Sequence, residues 1–98
     1  MSGLPNIDNG AQTEVTVGAS SVAALATSAG RSYVLFINDS DAAIYLNIFG
    51  AAAEMNKGVR LEAAGGTFEM SARKGNLTTK AVAAISSAAS KNLIVIAG

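Results

Sequence analysis

Turn-forming residues interrupt this chain roughly every 8 to 12 residues, so the segments between them are too short for most helices. Several of these segments alternate polar and apolar residues, which is the pattern of a half-buried strand, and residues 91–97 are almost entirely apolar. The spacing predicts an all-β domain, a single antiparallel β-sandwich or jelly-roll-like fold of about seven or eight short strands. The predicted strands are residues 13–17, 33–37, 43–48, 59–63, 67–70, 77–86 and 91–97.

Two segments are ambiguous on local pattern alone. Residues 20–29 contain a candidate helix cap, Ser20 or Ser21, followed by a helix-compatible run, but Gly30 ends the segment at once. Its position between two predicted strands favours an eighth strand over a helix. Residues 51–55, within the connection 49–58, are compatible with one helical turn.

Two polar or glycine-rich inserts predict β-hairpins. Asn38-Asp39-Ser40-Asp41 separates residues 33–37 from 43–48, and Ala64-Gly65-Gly66 separates residues 59–63 from 67–70. Asn, Asp and Ser close turns through side-chain hydrogen bonds, and glycine supplies positive φ at low steric cost. Residues 33–37 and 91–97 carry apolar side chains at successive positions, so we expect both faces of these two strands to be covered.

The composition predicts a protein that covers part of its surface with partners. The chain has 98 residues, enough for one domain, and 50% of them are hydrophobic whereas only 14% are charged. An average domain has roughly 25% charged residues. We therefore expect self-association, as a dimer or trimer, or docking on a larger assembly. Residues 1–12 contain Pro5 and a turn signal but no periodic pattern, and predict a flexible N-terminal arm before a domain at 13–98.

The formal net charge is zero, which does not favour binding to nucleic acid or to a membrane. The charges are segregated along the chain, since all seven acidic residues precede Met70 and four of the seven basic residues follow it. This segregation is compatible with solvated surface charges or with head-to-tail pairing of subunits. No apolar run approaches the about 18 residues that a membrane span needs, and residues 1–10 lack the pattern of a signal peptide.

The residue types offer little for catalysis. The chain has no histidine and no cysteine, which removes the commonest general base, the commonest metal ligand and any thiolate chemistry. Ser71 with Lys74 and Ser90 with Lys91 are conceivable Ser–Lys pairs, and the insert 38–41 offers oxygen atoms of the kind that bind calcium without the spacing of an EF-hand. Exposed side chains and an ordinary turn explain these features equally well. We predict no enzymatic activity, no cofactor and no metal site.

One series of motifs resembles a known group of proteins. Residues 29–47, AGRSYVLFINDSDAAIYLN, are followed by NKGVRL at 56–61, GGTFEM at 65–70, GNL at 75–77 and AVAAI at 81–85. This series resembles small virion proteins of tailed bacteriophages, in particular capsid decoration (cement) and head-fibre-type proteins. The similarity extends over about residues 13–98.

The resemblance implies a β-sandwich or jelly roll, made in the host cytoplasm and located on the capsid surface of the virion, where it binds the major capsid protein and stabilises the shell. It implies no catalytic residues and no cofactor. The alternative function is a binding module, either the base of a head fibre or a carbohydrate-binding β-sandwich. The candidate interface residues combine apolar positions of the arm, two aromatic side chains and two basic residues: Leu4, Pro5, Ile7, Tyr45, Phe49, Arg73 and Lys74.

Overall fold

The computed structural model describes residues 11–98, which form eight β-strands and no helix. All eight segments predicted as strands contain one, including residues 20–29, where the strand interpretation was favoured over a helix. The strands are β1 (Ala11–Val17), β2 (Val22–Leu25), β3 (Tyr33–Asn38), β4 (Ile44–Asn47), β5 (Val59–Leu61), β6 (Thr67–Ser71), β7 (Val82–Ser86) and β8 (Lys91–Ala97).

The strands form two four-stranded antiparallel sheets, and the predicted β-sandwich is confirmed. The first sheet has the order β1-β8-β3-β6 and the second has the order β2-β7-β4-β5. Almost every connection therefore crosses from one sheet to the other. This strand order is that of an eight-stranded jelly roll.

Both predicted hairpins are wrong. The strands around the insert 38–41 are β3, in the first sheet, and β4, in the second, and the strands around 64–66 are likewise divided between the sheets. β4 and β5 are the one pair of consecutive strands that are hydrogen-bonded to each other. A polar insert of four or five residues can close a hairpin or cross the edge of a sandwich, and local sequence does not distinguish the two.

The core lies between the sheets and consists of alternate residues of the strands. On β3, Val34 and Phe36 are fully buried, whereas the intervening Leu35 and Ile37 are half-buried on the outer face. β8 shows the same alternation, with Leu93 and Val95 inside. Within residues 11–98, the prediction that both faces of these strands are covered therefore holds for the inner face alone. Burial of each large core side chain contributes roughly 1.5–3 kcal/mol.

Two boundaries differ from the prediction. β1 begins at Ala11, two residues before the expected start at Thr13, because residues 11 and 12 pair with the end of β8. Residues 77–81 are irregular, and β7 begins only at Val82. Residues 51–55 form bends and a turn, with no helical turn. The remainder of the predicted arm, residues 1–10, lies outside the described residues.

Candidate binding surface

One end of the sandwich gathers three irregular connections, residues 26–32, 48–58 and 72–81. β2, β4 and β6 end here, and β3, β5 and β7 begin here. Hydrogen bonds tie the three connections together: Ser28 N donates to Thr79 O at 2.9 Å, and Gly50 N donates to Ala81 O at 3.2 Å. We call this surface the basic end, because it carries Arg31, Arg73, Lys74 and Lys80.

The buried side chain of Arg31 joins two of these connections, residues 26–32 and 72–81, by hydrogen bonds. Its side chain is 7% exposed, and its guanidinium donates to the carbonyl oxygens of Ala26 (2.5 Å), Thr78 (2.8 Å) and Lys80 (3.2 Å). No carboxylate of residues 11–98 pairs with it. Burial lowers the pKa of the guanidinium from its ordinary value, but arginine remains protonated in proteins. Arg31 therefore adds an uncompensated positive charge to the basic end.

A cleft of about 310 Å³ opens beside Arg31. Its walls are the connection that follows β2 and the last residues of β8. The lining residues are Leu25, Ala26, Thr27, Ser28, Gly30, Arg31, Ala97 and Gly98. None of them is aromatic, so the cleft lacks the flat platform on which a sugar ring would stack.

Phe49 projects from the basic end in a fixed conformation. Phe49 is 71% exposed, and among the described residues no other large hydrophobic residue is exposed to this degree. Its backbone N–H donates to Asn47 Oδ1 at 2.8 Å, and the next residue, Gly50, has a φ of 84° that favours glycine. The turn that presents Phe49 is thus held by hydrogen bonds on both sides.

Two exposed cations of the basic end, one of them beside Phe49, have no carboxylate partner among residues 11–98. Lys80 lies beside the same turn, since its methylene carbons would be within 3.5–3.9 Å of a Cβ placed on Gly50. Lys80 and Arg73 are exposed and form no ion pair with any residue between 11 and 98. Lys74 pairs with Glu69 at 2.5 Å. The basic end therefore presents Phe49 beside the unpaired Lys80, whereas Lys57 on the same connection pairs with Glu54 at 3.0 Å.

The structure places the predicted interface residues in three different environments. Phe49, Arg73 and Lys74 lie at the same end, Phe49 on the connection between β4 and β5 and the two basic residues on the connection between β6 and β7. Tyr45 is only 6% exposed, because residues 48–58 pass over it, and its hydroxyl donates to Asn56 Oδ1 at 3.1 Å. Leu4, Pro5 and Ile7 lie outside the described residues.

Sequence reasoning missed Arg31 and Lys80 as parts of this surface. The carbonyl groups that receive Arg31 from residues 78 and 80 are 47 and 49 positions away in the chain, so no local pattern reveals them. Lys80 was missed because residues 77–86 were predicted to form one strand. The strand begins only at Val82, and residues 77–81 form a connection in which Lys80 is exposed.

The charged side chains of the other candidate sites form ion pairs within the chain. Asp41 pairs with Lys91 at 2.5 Å, and this hydrogen bond holds the pKa of Asp41 below its ordinary value. The Lys74 ammonium likewise lowers the pKa of Glu69, helped by the Tyr33 hydroxyl. Both lysines of the conceivable Ser–Lys pairs are thus held by carboxylates. Across residues 11–98, no three acidic, histidine or cysteine side chains come together as metal ligands.

Comparison of the chain with protein-family models, with curated proteins and with solved structures gives no match. Among residues 11–98, there is no helix of the length and hydropathy needed to span a membrane. The geometry of the surface and the sequence resemblance are therefore what supports a functional proposal.

Proposed function

We propose that this protein is a structural virion protein, a capsid decoration (cement) protein that binds the major capsid protein on the outside of a phage head through its basic end. The observation that carries the proposal is Phe49, 71% exposed on a hydrogen-bonded turn and bordered by Lys80. Aromatic side chains in preorganised positions are typical binding hot spots. The resemblance of the sequence motifs to phage virion proteins favours a capsid as the binding partner of this surface.

The chemistry of the surface specifies what it would contact. An apolar side chain beside a lysine that is unpaired within residues 11–98 fits an acidic surface with a pocket for one aromatic ring. A single small contact of this kind binds weakly. On a symmetric shell, however, contacts repeated by linked subunits reinforce one another, so modest affinity per site suffices.

A carbohydrate-binding role has less support. The cleft beside Arg31 has no aromatic lining residue, and Tyr45, which could have contributed a platform, is buried beneath residues 48–58. A glycan-binding groove needs such a platform together with convergent polar groups. We therefore propose the capsid-binding role alone.

The test is co-sedimentation of the purified protein with heads of the phage that encodes it, prepared without this protein. We expect saturable binding at a fixed ratio to capsomers. Replacing Phe49 with Ala should weaken binding at least about 30-fold, the factor that corresponds to a hot spot of roughly 2 kcal/mol. Its thermal unfolding should stay unchanged, because the side chain is exposed.

Charge reversals provide the matched comparison. Lys80→Glu should weaken binding, since it removes a cation beside Phe49. Binding of this variant should also depend less on the salt concentration. Lys91→Glu makes the same change of charge at the start of β8, at the opposite end of the sandwich, and should bind as the unaltered protein does, although it also breaks the ion pair with Asp41. Heads that bind no protein, or that bind the Phe49→Ala variant equally well, would contradict the proposal.

A further inference from the structure

The guanidinium of Arg31 has hydrogen-bonding capacity that the described chain does not use. Its Nη1 group donates to the carbonyl oxygens of Thr78 and Lys80, and its Nη2 group donates once, to the carbonyl oxygen of Ala26. An arginine side chain carries five N–H groups in total. The N–H of Nε and one N–H of Nη2 therefore have no acceptor among residues 11–98.

The Nε group of Arg31 is accessible to solvent. Among residues 11–98, Ser86 Oγ is the one side-chain polar atom that is buried without a hydrogen-bond partner. Arg31 Nε has no partner among these residues either, so it cannot be sealed in the interior, although the residue is only 7% exposed. The cleft of about 310 Å³ is the opening that Arg31 lines, and it gives a ligand access to this N–H group.

The charge at the cleft favours an anion. No Asp or Glu side chain lines it, and Arg31 forms no ion pair within residues 11–98. Gly98 also lines the cleft, but its carbonyl oxygen already accepts hydrogen bonds from Ser32 N at 2.8 Å and Tyr33 N at 3.1 Å. A charge that is buried without an opposite charge is costly. An anion in the cleft would offset this cost.

The size and the walls of the cleft favour a carboxylate on a short apolar stem. Its volume is at the lower end of the range of about 300–1,000 Å³ that small-molecule sites occupy. The walls are apolar at Leu25 and Ala97 and carry hydroxyl groups at Thr27 and Ser28. A phosphate dianion would call for a second cation, and Arg31 is the one basic residue among those that line the cleft.

We propose that the cleft receives one acidic side chain, aspartate or glutamate, of the protein that binds at the basic end. Its carboxylate accepts hydrogen bonds from the free N–H groups on Nε and Nη2 of Arg31. Hydrogen bonds between charged groups are roughly twice as strong as those between neutral groups. The identity of the partner rests on the proposed function, whereas the carboxylate site rests on the cleft alone.

The first experiment requires no phage heads. The full chain, labelled for NMR spectroscopy, is titrated with glutamate capped at both its amino and its main-chain carboxyl group, so that the side-chain carboxylate is the one charge left. We expect weak, saturable binding with shifts at the backbone N–H groups of residues 26–31 and at the Nε–H of Arg31. Capped glutamine, the uncharged isostere, should cause neither.

Three results of this titration would overturn the carboxylate site. These are the absence of a saturable shift, equal shifts with capped glutamine, and tighter binding of inorganic phosphate than of capped glutamate. An arginine whose role is structural alone would give the first result, because its hydrogen bonds to the three carbonyl groups do not depend on an added acid.

Gly30→Asp blocks the site without disturbing Arg31. Gly30 lines the cleft, and a Cβ at this position would meet nothing within 4 Å, so the added carboxylate fits there and repels an incoming one. We expect capped glutamate to bind at least about tenfold more weakly. Ala88→Asp adds the same charge at an exposed position between β7 and β8, at the opposite end of the sandwich, and should leave binding unchanged. Equal losses in the two variants would refute a local site.

Co-sedimentation with heads then tests the partner. Gly30→Asp should bind heads more weakly, and Ala88→Asp should bind them as the unaltered protein does. If Gly30→Asp loses capped glutamate but binds heads normally, the capsid does not use the cleft, and that part of the inference fails while capsid binding through Phe49 stands. Heads that bind no form of the protein would contradict the proposed function, and the titration would still decide the carboxylate site.

Discussion

A single buried asparagine holds the crossing between the two sheets. Asn38 is fully buried, and its amide nitrogen donates to the carbonyl oxygens of Ala42 at 2.8 Å and Leu61 at 3.0 Å. Its side-chain oxygen accepts a hydrogen bond from the Ser40 hydroxyl at 2.6 Å. The residue thereby satisfies polar groups of two connections at the place where β3 ends.

Replacement of Asn38 by Ala should destabilise the fold by about 2–3 kcal/mol, because buried carbonyl groups lose their donor and a cavity remains. Urea unfolding followed by circular dichroism would measure this change. Asn92→Ala is the control: that side chain is half-buried on β8 and donates one long hydrogen bond, to Asp39 Oδ2 at 3.4 Å. We expect it to change stability by less than about 1 kcal/mol, and similar losses for both variants would contradict the role of Asn38.

Gly58 is required by its backbone conformation and by its surroundings. Its φ is 83°, and a Cβ at this position would lie 2.2 Å from the carbonyl oxygen of Leu46. Gly58→Ala should therefore cost more than the about 1–2 kcal/mol of a left-handed residue alone. Gly30→Ala, where a Cβ meets nothing within 4 Å, should be neutral or slightly stabilising. Thermal unfolding of the two variants side by side tests the difference, and equal midpoints would be inconsistent with it.

At the scale of the elements, the strands were predictable and their partners were not. Apolar and polar patterns with turn residues located seven strands because these signals are local, and β2 was predicted from its position between two of them. Pairing depends on whether a connection turns back or crosses to the other sheet, and the insert 38–41 is compatible with both. In the folded structure the insert crosses to the second sheet, and the buried Asn38 donates hydrogen bonds on both sides of the crossing.

The candidate surface was predictable to a similar extent. Phe49, Arg73 and Lys74 stand out in the sequence as an aromatic residue and basic residues in polar connections. That Phe49 is exposed while Tyr45 is covered follows from the path of residues 48–58, which passes over the second sheet. The local sequence does not show whether an aromatic residue at the end of a strand will be exposed or covered.

The pairing of β3 with β6 makes stability depend on pH at both extremes. Glu69 accepts a hydrogen bond from the Tyr33 hydroxyl at 2.6 Å and pairs with Lys74. The Lys74 hydrogen bond, together with that of Tyr33, lowers the pKa of Glu69, and the Glu69 hydrogen bond raises the pKa of Tyr33. The first effect stabilises the fold above about pH 4.5 and is lost as the pH falls through the folded pKa.

The Tyr33 effect is opposite in sign. The unfolded chain releases the tyrosine proton near pH 10, before the folded chain does, so stability falls as the pH rises above that value. Glu69→Gln should flatten both limbs of a plot of the unfolding midpoint against pH. Tyr33→Phe should remove the alkaline limb and keep the part of the acid limb that depends on Lys74. An alkaline limb unchanged in Tyr33→Phe would refute the assignment.

At the scale of the whole molecule, the two outer faces of the sandwich differ. Residues 48–58 pack on the outer face of the second sheet, whereas Leu35, Ile37, Ile94 and Ile96 stay half-buried on the outer face of the first sheet. Among residues 11–98, the cations without a carboxylate partner lie at the basic end.

The central place of β8 in the first sheet has a consequence for biosynthesis. β8 leaves the ribosome after the other seven strands, yet it separates β1 from β3 and pairs with both. Until residues 91–97 emerge, each of these strands has an open edge, a state prone to pairing with other chains. The first sheet can therefore close only after all eight strands have emerged, and such non-local pairing folds slowly, within milliseconds to seconds. Chaperones that shield open strand edges would protect the nascent chain during this interval.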